Sequence, residues 1–162
     1  MGCDPLGHEV LKTAKRIIIA EAIDNPSNIG AIVRCATGLG WDGLICDTTS
    51  ADPLSRRALR VSMGAAFNFK FARSNNIAET LKDLTERGFD VLALTPNNSA
   101  TDLSKVILES TTPRALVFGS ERAGLSTEAL NSVKYKIRIE MNPAIDSLNV
   151  AAAAAIACYA LR

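Results

Sequence analysis

Three short polar stretches interrupt an otherwise apolar chain, and each carries residue types able to hold an anion or a sugar. The first, Asp24 to Arg34, reads Asp-Asn-Pro-Ser-Asn-Ile-Gly-Ala-Ile-Val-Arg, a turn feeding a helix whose polar face presents Asn28 and Arg34. An arginine that grips a phosphate through two parallel N–H groups, beside an amide able to orient a hydroxyl, needs such an arrangement. The second, Gly119-Ser120-Glu121-Arg122-Ala123-Gly124, directly follows the apolar run Ala115–Phe118. It stands at the carboxyl end of a strand, where ligands of open α/β sheets bind. The third, Ser147-Leu148-Asn149, opens an alanine-rich helix.

Taken singly, each stretch has a plain structural reading. Asn28 serves as a helix cap and Arg34 as a surface cation, Glu121 as a solvated loop carboxylate, Ser147 as an N-cap. The glycine spacing of the second stretch approaches that of a phosphate loop, but Leu125 and Ser126 follow Gly124. The lysine that a nucleoside-triphosphate loop requires is missing, which weakens a nucleotide-binding or phosphotransfer reading.

The elements that must position these residues follow from the apolar pattern. Ile17–Ala20, Leu44–Cys46, Val91–Leu94, Ala115–Phe118 and, alternating, Ile137 and Ile139 read as short strands. Their continuous apolar character predicts cover on both faces, hence a mostly parallel sheet flanked by helices, an α/β fold. Ile29, Ile32, Val33 and Ala36 recur at helical spacing, predicting a helix from near Ile29 that lines up Gly30, Arg34 and Gly38 on another face. Two flanking glycines would then let a ligand or a backbone approach the guanidinium closely. Asp52 reads as an N-cap with Pro53 in the first turn, Asn76 to Glu79 as a capping box, and Gly64 and Gly88 as helix stops. The last helix is expected from about Leu148 to near Arg162, capped around Asp146 and Ser147, with Asn149 inside its first turn. Alanines 151 to 155 imply something packed very close, a helix, a cofactor or a partner subunit.

A chain of 162 residues, 48% hydrophobic, suits one domain. Residues 1–15, with Gly2, Pro5 and Gly7 ahead of Lys12 and Lys15, read as a tail or linker remnant before a domain over 16–162. Val150–Ala157 is too short to span a bilayer and the amino terminus lacks a signal core, so a soluble, cytoplasmic protein without membrane contact is expected. Cys3, Cys35, Cys46 and Cys158 share no Cys-x-x-Cys spacing and His8 is the sole histidine, which argues against a metal site or a disulfide framework. A net charge of +1 points away from general nucleic-acid binding, so any RNA contact must be a local patch. Arg56, Arg57 and Arg60 form the best cluster, followed by Lys12, Lys15 and Arg16; a solvated helix face is the plain alternative.

In this order, the three stretches resemble the SpoU (TrmH) family of RNA ribose 2'-O-methyltransferases in the SPOUT superfamily, over nearly the whole chain from about Ile17. Asn28, Gly30 and Arg34 match the first family motif; Phe118, Gly119, Glu121 and Gly124 the second; Ile139, Met141, Ser147, Leu148, Asn149 and Val150 the third. Glu140 departs from the usual proline of the third motif, and Ala151 from the serine that follows Asn-Val. The resemblance implies a deep C-terminal trefoil knot, against the general rarity of knots. It also implies S-adenosylmethionine as methyl donor, rRNA or tRNA as substrate, and a homodimer that completes each active site. Gly119, Ile139 and Leu148, with Gly124 and Met141, fall on the donor-binding motifs, and Thr95 with Pro96 on the adjoining loop. Asn28, Arg34, Glu121, Ser147 and Asn149 fall on catalytic positions. The expected roles are ribose orientation by Asn28 and Asn149, loop fixation by Ser147, support of Asn28 or Arg34 by Glu121, and a phosphate clamp in Arg34. The rival expectation keeps the fold without catalysis, as an RNA-binding dimer or a fragment that needs a missing amino-terminal domain.

Overall fold

The structure, a computed structural model, describes residues 11–162; Cys3, His8 and most of the expected tail lie outside the described residues. Seven strands form one parallel sheet in the order β3-β2-β1-β6-β4-β7-β5. They are β1 (Arg16–Ala20), β2 (Gly43–Asp47), β3 (Lys70–Ser74), β4 (Asp90–Leu94), β5 (Thr101–Asp102), β6 (Arg114–Phe118) and β7 (Tyr135–Arg138). Five α-helices accompany them wholly within the described residues: α1 (Pro26–Gly38), α2 (Arg56–Val61), α3 (Ile77–Glu86), α4 (Thr127–Asn131) and α5 (Val150–Ala160). Among the described residues no helix is long and apolar enough to cross a membrane.

Every expected strand is present, and two more appear. β3, Lys-Phe-Ala-Arg-Ser, is an edge strand whose charges interrupt the apolar run, and β5 is only two residues long. β7 ends at Arg138, so Ile139 belongs to the loop beyond it rather than to the strand.

The central strands feed two cores at once because successive side chains point to opposite faces. Ile18, Ala20, Leu44, Leu92, Leu116 and Phe118 join the layer containing α1 and α5, while Ile17, Ile19, Ile45, Val91, Ala115 and Val117 join the layer under α3 and α4. The α1 stripe Ile29, Ile32, Val33 and Ala36 is fully buried, as its spacing predicts. On α5 the small residues Ala151, Ala154 and Ala157 enter the same core, which lets α5 lie close against α1. Close helix packing thus accounts for that side of the alanine run.

Several caps differ from the sequence reading. α1 begins three residues earlier than expected because Asn25, not Asn28, caps it, with Pro26 in the first turn where its missing N–H costs nothing. Asp52 closes a turn onto the Leu54 amide, and Ser55 caps α2. α5 starts at Val150 and is capped by Asn149 rather than by Asp146 or Ser147. Asn76 caps α3 through the Glu79 amide, the forward half of the expected capping box, while its own amide donates to Ser74 Oγ at 3.1 Å instead of to Glu79, and Gly88 follows the helix end with a φ of 87°. Gly64, with φ 80°, stands beyond the α2 cap Ser62 and leads into a short 3-10 turn.

α5 is tied down at its carboxyl end by buried donors. The Trp41 indole donates to the Cys158 carbonyl at 3.1 Å, and the Arg114 guanidinium donates to the Leu161 carbonyl at 3.0 Å and to the Glu109 carbonyl at 2.9 Å. Burial, and then the neighbouring Cys35, pushes the Cys158 thiol up to about 12, so it stays protonated and unreactive.

Candidate functional site

The loops that leave the carboxyl ends of β4, β6 and β7 enclose a cleft of about 360 Å³. Its lining includes Thr95, Pro96, Gly119, Gly124, Ile139, Met141 and Leu148, all seven residues expected to hold a methyl donor, together with Glu121 and Ser147. A larger hollow of about 960 Å³ opens on the opposite layer, over Ile17, Ile45 and Ala72 beside α3. None of the three motif stretches lines it, so the smaller cleft is the candidate site.

The β6 loop is built to turn back on itself. Ser120 bridges Gly124, whose amide donates to the Ser120 carbonyl at 2.9 Å while its φ of 67° suits glycine. A Cβ on Gly119 would lie 2.3 Å from the Gly124 carbonyl carbon, so only glycine lets the two arms of the loop touch. Glu21, at the carboxyl end of β1, anchors the far side of this loop. Its carboxylate accepts from the Ser126 amide at 2.8 Å and the Ser126 hydroxyl at 2.7 Å. Sequence reasoning passed over Glu21, although a carboxylate directly at a strand's carboxyl end was a usable signal.

The loop before α1 has its own brace. Asp47 accepts hydrogen bonds from the Ala22 amide at 3.0 Å and the Ser50 amide at 2.9 Å, and from the hydroxyls of Ser50 and Thr49. Burial alone would raise its carboxyl, but these bonds, the Ser50 hydroxyl foremost, hold it below the ordinary carboxylate value. They also fix Ala22 at a φ of 54°, the bend that aims the chain into α1.

At the rim of the cleft, Asn149 joins the three stretches. Its Oδ1 accepts from the Ala151 and Ala152 amides at 2.9 and 3.3 Å, capping α5. Its Nδ2 donates to Glu121 Oε1 at 2.7 Å and to Asn28 Oδ1 at 3.1 Å. Glu121 Oε1 also accepts from the Val150 amide at 3.3 Å. Glu121 therefore supports Asn149 directly and Asn28 only through it, which corrects the expected pairing with Asn28 or Arg34.

Asn28 is 8% exposed and its oxygen is occupied, which leaves its Nδ2 as a donor without a partner among the described residues. Glu121 Oε2 likewise has no partner there. A solvent-reached amide donor on an otherwise buried side chain, joined through Asn149 to a carboxylate acceptor, is a chemistry for gripping a hydroxyl.

Arg34 and Ser147 are placed differently. Arg34 is exposed on the outer side of α1, makes no hydrogen bond or ion pair among the described residues, and does not line the cleft of its own chain. Gly30 is not an opening beside Arg34: a Cβ there would sit 2.6 Å from the Ala58 carbonyl oxygen, so this glycine seats α2 against α1. Ser147 borders the cleft, exposed, and makes no hydrogen bond among the described residues. Arg56, Arg57 and Arg60 are exposed on α2, with Arg57 Nε donating to Ser27 Oγ at 2.5 Å.

The sequence profile of the SpoU rRNA Methylase family matches residues 15–159. An uncharacterised tRNA/rRNA methyltransferase of Mycobacterium tuberculosis is 40% identical over 157 residues, 96% of this chain and 54% of that protein. This chain therefore spans about half the length of the curated relatives it matches. Among solved structures, the AdoMet-bound rRNA methyltransferase of Sinorhizobium meliloti superposes with a TM-score of 0.87 at 28% identity, covering 100% of this chain and 61% of that one. The SpoU methyltransferase AviRb of Streptomyces viridochromogenes, in complex with AdoMet, gives 0.85 at 27% identity over 99% and 62%. With a parallel α/β sheet, three motif stretches joined through Asn149, and a family profile running through nearly the whole domain, the chain belongs to the SpoU rRNA methylase family.

Proposed function

We propose that this domain methylates a ribose 2'-hydroxyl of rRNA or tRNA with S-adenosylmethionine as donor. The observation that carries the reading is the Asn28–Asn149–Glu121 network, in which Glu121 lines the cleft with a carboxylate oxygen that has no partner among the described residues and Asn28, joined to it through Asn149, keeps an amide donor likewise without one. The two AdoMet-bound relatives support the choice of donor.

The residues present fit such a molecule. Leu94, Leu125, Ile139, Met141 and Leu148 give the cleft apolar walls suited to a purine, and the loop backbones at Thr95, Gly119 and Leu148 offer polar edges. Gly124 keeps the β6 loop folded, and Pro96 stiffens the β4 loop. When bound, the donor supplies an electrophilic methyl carbon. Asn28 Nδ2 and Glu121 orient the ribose, and Asn149 holds both at a fixed separation while capping α5. Ser147 flanks the donor pocket. A guanidinium stays protonated in proteins, so Arg34 is a clamp for the adjacent phosphate and a stabiliser of the developing alkoxide, while the hydroxyl proton passes to phosphate or water.

Arg34 reaches a cleft through a homodimer. Ala152, Ile156 and Tyr159 form an exposed stripe at helical spacing on α5, the helix packed beside α1, which itself carries Arg34 and Gly38 exposed. A second copy seated on this surface covers the stripe and brings Arg34 to the neighbouring site. The proposed trefoil knot is supported by the strand order, in which late β6 enters between β1 and β4 and α5 returns beneath the sheet beside α1. Arg56, Arg57 and Arg60 contact RNA phosphates, and residues 16–162 form the catalytic domain, whose core under α3 and α4 also takes in Leu11 and Ala14 from the end of the expected tail or linker remnant.

Calorimetric titration with S-adenosylmethionine, paired with mapping of 2'-O-methyl groups in RNA from cells with and without the gene, tests the reading. Donor binding together with a methyl group that disappears with the gene supports it. Donor binding without any gene-dependent methyl group would favour the RNA-binding fragment that depends on a further domain, consistent with coverage of 54% of the Mycobacterium relative.

A further inference from the structure

We infer that the surface formed by α2 and the turn after it is a platform for an unpaired RNA base, with Phe67 as the stacking face and Arg56, Arg57 and Arg60 as phosphate grips. The inference rests on the RNA reading above and goes beyond it by naming the form of RNA that is gripped.

The patch is held next to the site. α2 crosses α1 at Gly30, where a Cβ would clash with the Ala58 carbonyl oxygen at 2.6 Å and the Val61 Cβ at 3.0 Å. That crossing is two residues from Asn28. Arg57 is bonded to Ser27, immediately before Asn28. None of the three arginines makes an ion pair among the described residues.

The turn that follows presents apolar groups to solvent instead of hiding them. Ser62 is 1% exposed, donating to the Leu59 carbonyl at 3.1 Å and accepting from the Ala66 amide at 3.4 Å. Pinned there, the chain passes through Met63 at φ 55°, an uncommon value for a residue with a side chain, and Gly64 at φ 80°. Met63 is left 74% exposed and Phe67 72% exposed, with the Phe67 ring 3.9 Å from where a Gly64 Cβ would stand. The core does not need Phe67, because Phe69, two residues on, is buried and packs edge-on against Phe71.

An exposed aromatic ring beside unpaired arginines matches an anion that also carries flat apolar faces, which is a single-stranded nucleic acid. Arginines alone bind phosphates of either form. A ring that stacks on a base favours the form whose bases are already unstacked.

The test uses the whole chain and fluorescence anisotropy with a short unstructured RNA and a duplex of the same sequence. Phe67→Ala should weaken the single strand by roughly tenfold or more and leave the duplex nearly unchanged, with Phe67→Tyr retaining binding. Arg57→Ala and Arg60→Ala should weaken both forms and flatten the salt dependence. S-adenosylmethionine titration and light scattering accompany each variant as checks of fold and mass. Equal loss for both RNAs, or no loss for either, overturns the platform and leaves the RNA reading standing. No RNA binding by the wild type overturns both. A drop in oligomeric mass in Phe67→Ala shows a subunit contact and overturns the platform in favour of a protein partner.

Discussion

The two ends of α5 are both fastened by hydrogen bonds to residues distant in sequence, yet the bonds differ in kind. At the carboxyl end, buried Trp41 and Arg114 donate to main-chain carbonyls, and neither side chain borders the cleft. At the amino end, Asn149 bonds to two other side chains at an exposed rim, and its partners keep unused polar atoms. Bonds to carbonyls satisfy an orphaned helix end and contribute stability. The side-chain network leaves capacity for a ligand, so the first end anchors the helix and the second is the one to which the proposed function assigns the ribose.

The sharpest way to break this contrast is Asn149→Asp. Aspartate is as good an N-cap as asparagine, but it removes the donor to Glu121 and Asn28 and sets a second carboxylate beside the first. Methyl transfer to RNA should fall by about 10²–10³, while the like-charge contact, placed at an exposed rim, lowers the melting temperature only modestly by comparison. Comparable losses of stability and activity would mean that the amino end is only another anchor. At the other end, Arg114→Ala removes the donor serving the Leu161, Glu109 and Thr112 carbonyls. Urea unfolding should show a loss of about 3 kcal/mol, with donor affinity preserved in the fraction that remains folded. Trp41→Phe keeps most of the ring and deletes the bond to Cys158, for a smaller loss of about 1 kcal/mol by the same measurement.

The smallest effect is expected in acid. Asp47 has a folded value below its ordinary 3.8, so its contribution to stability is fully present above that value and lost as pH falls through the lower folded one. The Trp41 indole and the Arg114 guanidinium do not change charge in that range. Hydrogen exchange below pH 3.8 should therefore release the amides of Ala22 and Ser50 before that of Leu161. Simultaneous release would show that the brace before α1 and the carboxyl end of α5 open as one unit, and release of Leu161 first would overturn the role given to Asp47.

What was legible in the sequence follows how local each signal is. Ile17–Ala20 and Ala115–Phe118 declared themselves as central strands because both of their faces are buried, leaving no polar alternation. β3 escaped because an edge strand tolerates Lys70 and Arg73, and β5 because two residues carry no period. The α1 cap was readable, since Asn25 precedes Pro26, but Asn28 drew attention away from it. Asn149 was harder. Ser147 and Asn149 are both able to cap, and the choice is made by Glu121, 28 residues away. The bond between Asn149 and Asn28 spans 121 residues, a juxtaposition that no spacing rule contains and that only the family resemblance anticipated. The pairing of Glu21 with Ser126, 105 residues apart, had no such guide.

α5 runs antiparallel to the strands, from Glu121 beyond the end of β6 to Arg114 at its start, a span of roughly 16 Å for an 11-residue helix. A carrier protein or affinity tag fused after Arg162 consequently emerges on the side of the sheet away from the cleft and leaves its mouth clear. Trimming even Leu161 and Arg162 would deprive the Arg114 guanidinium of its carbonyl and loosen the strut whose other tip is Asn149.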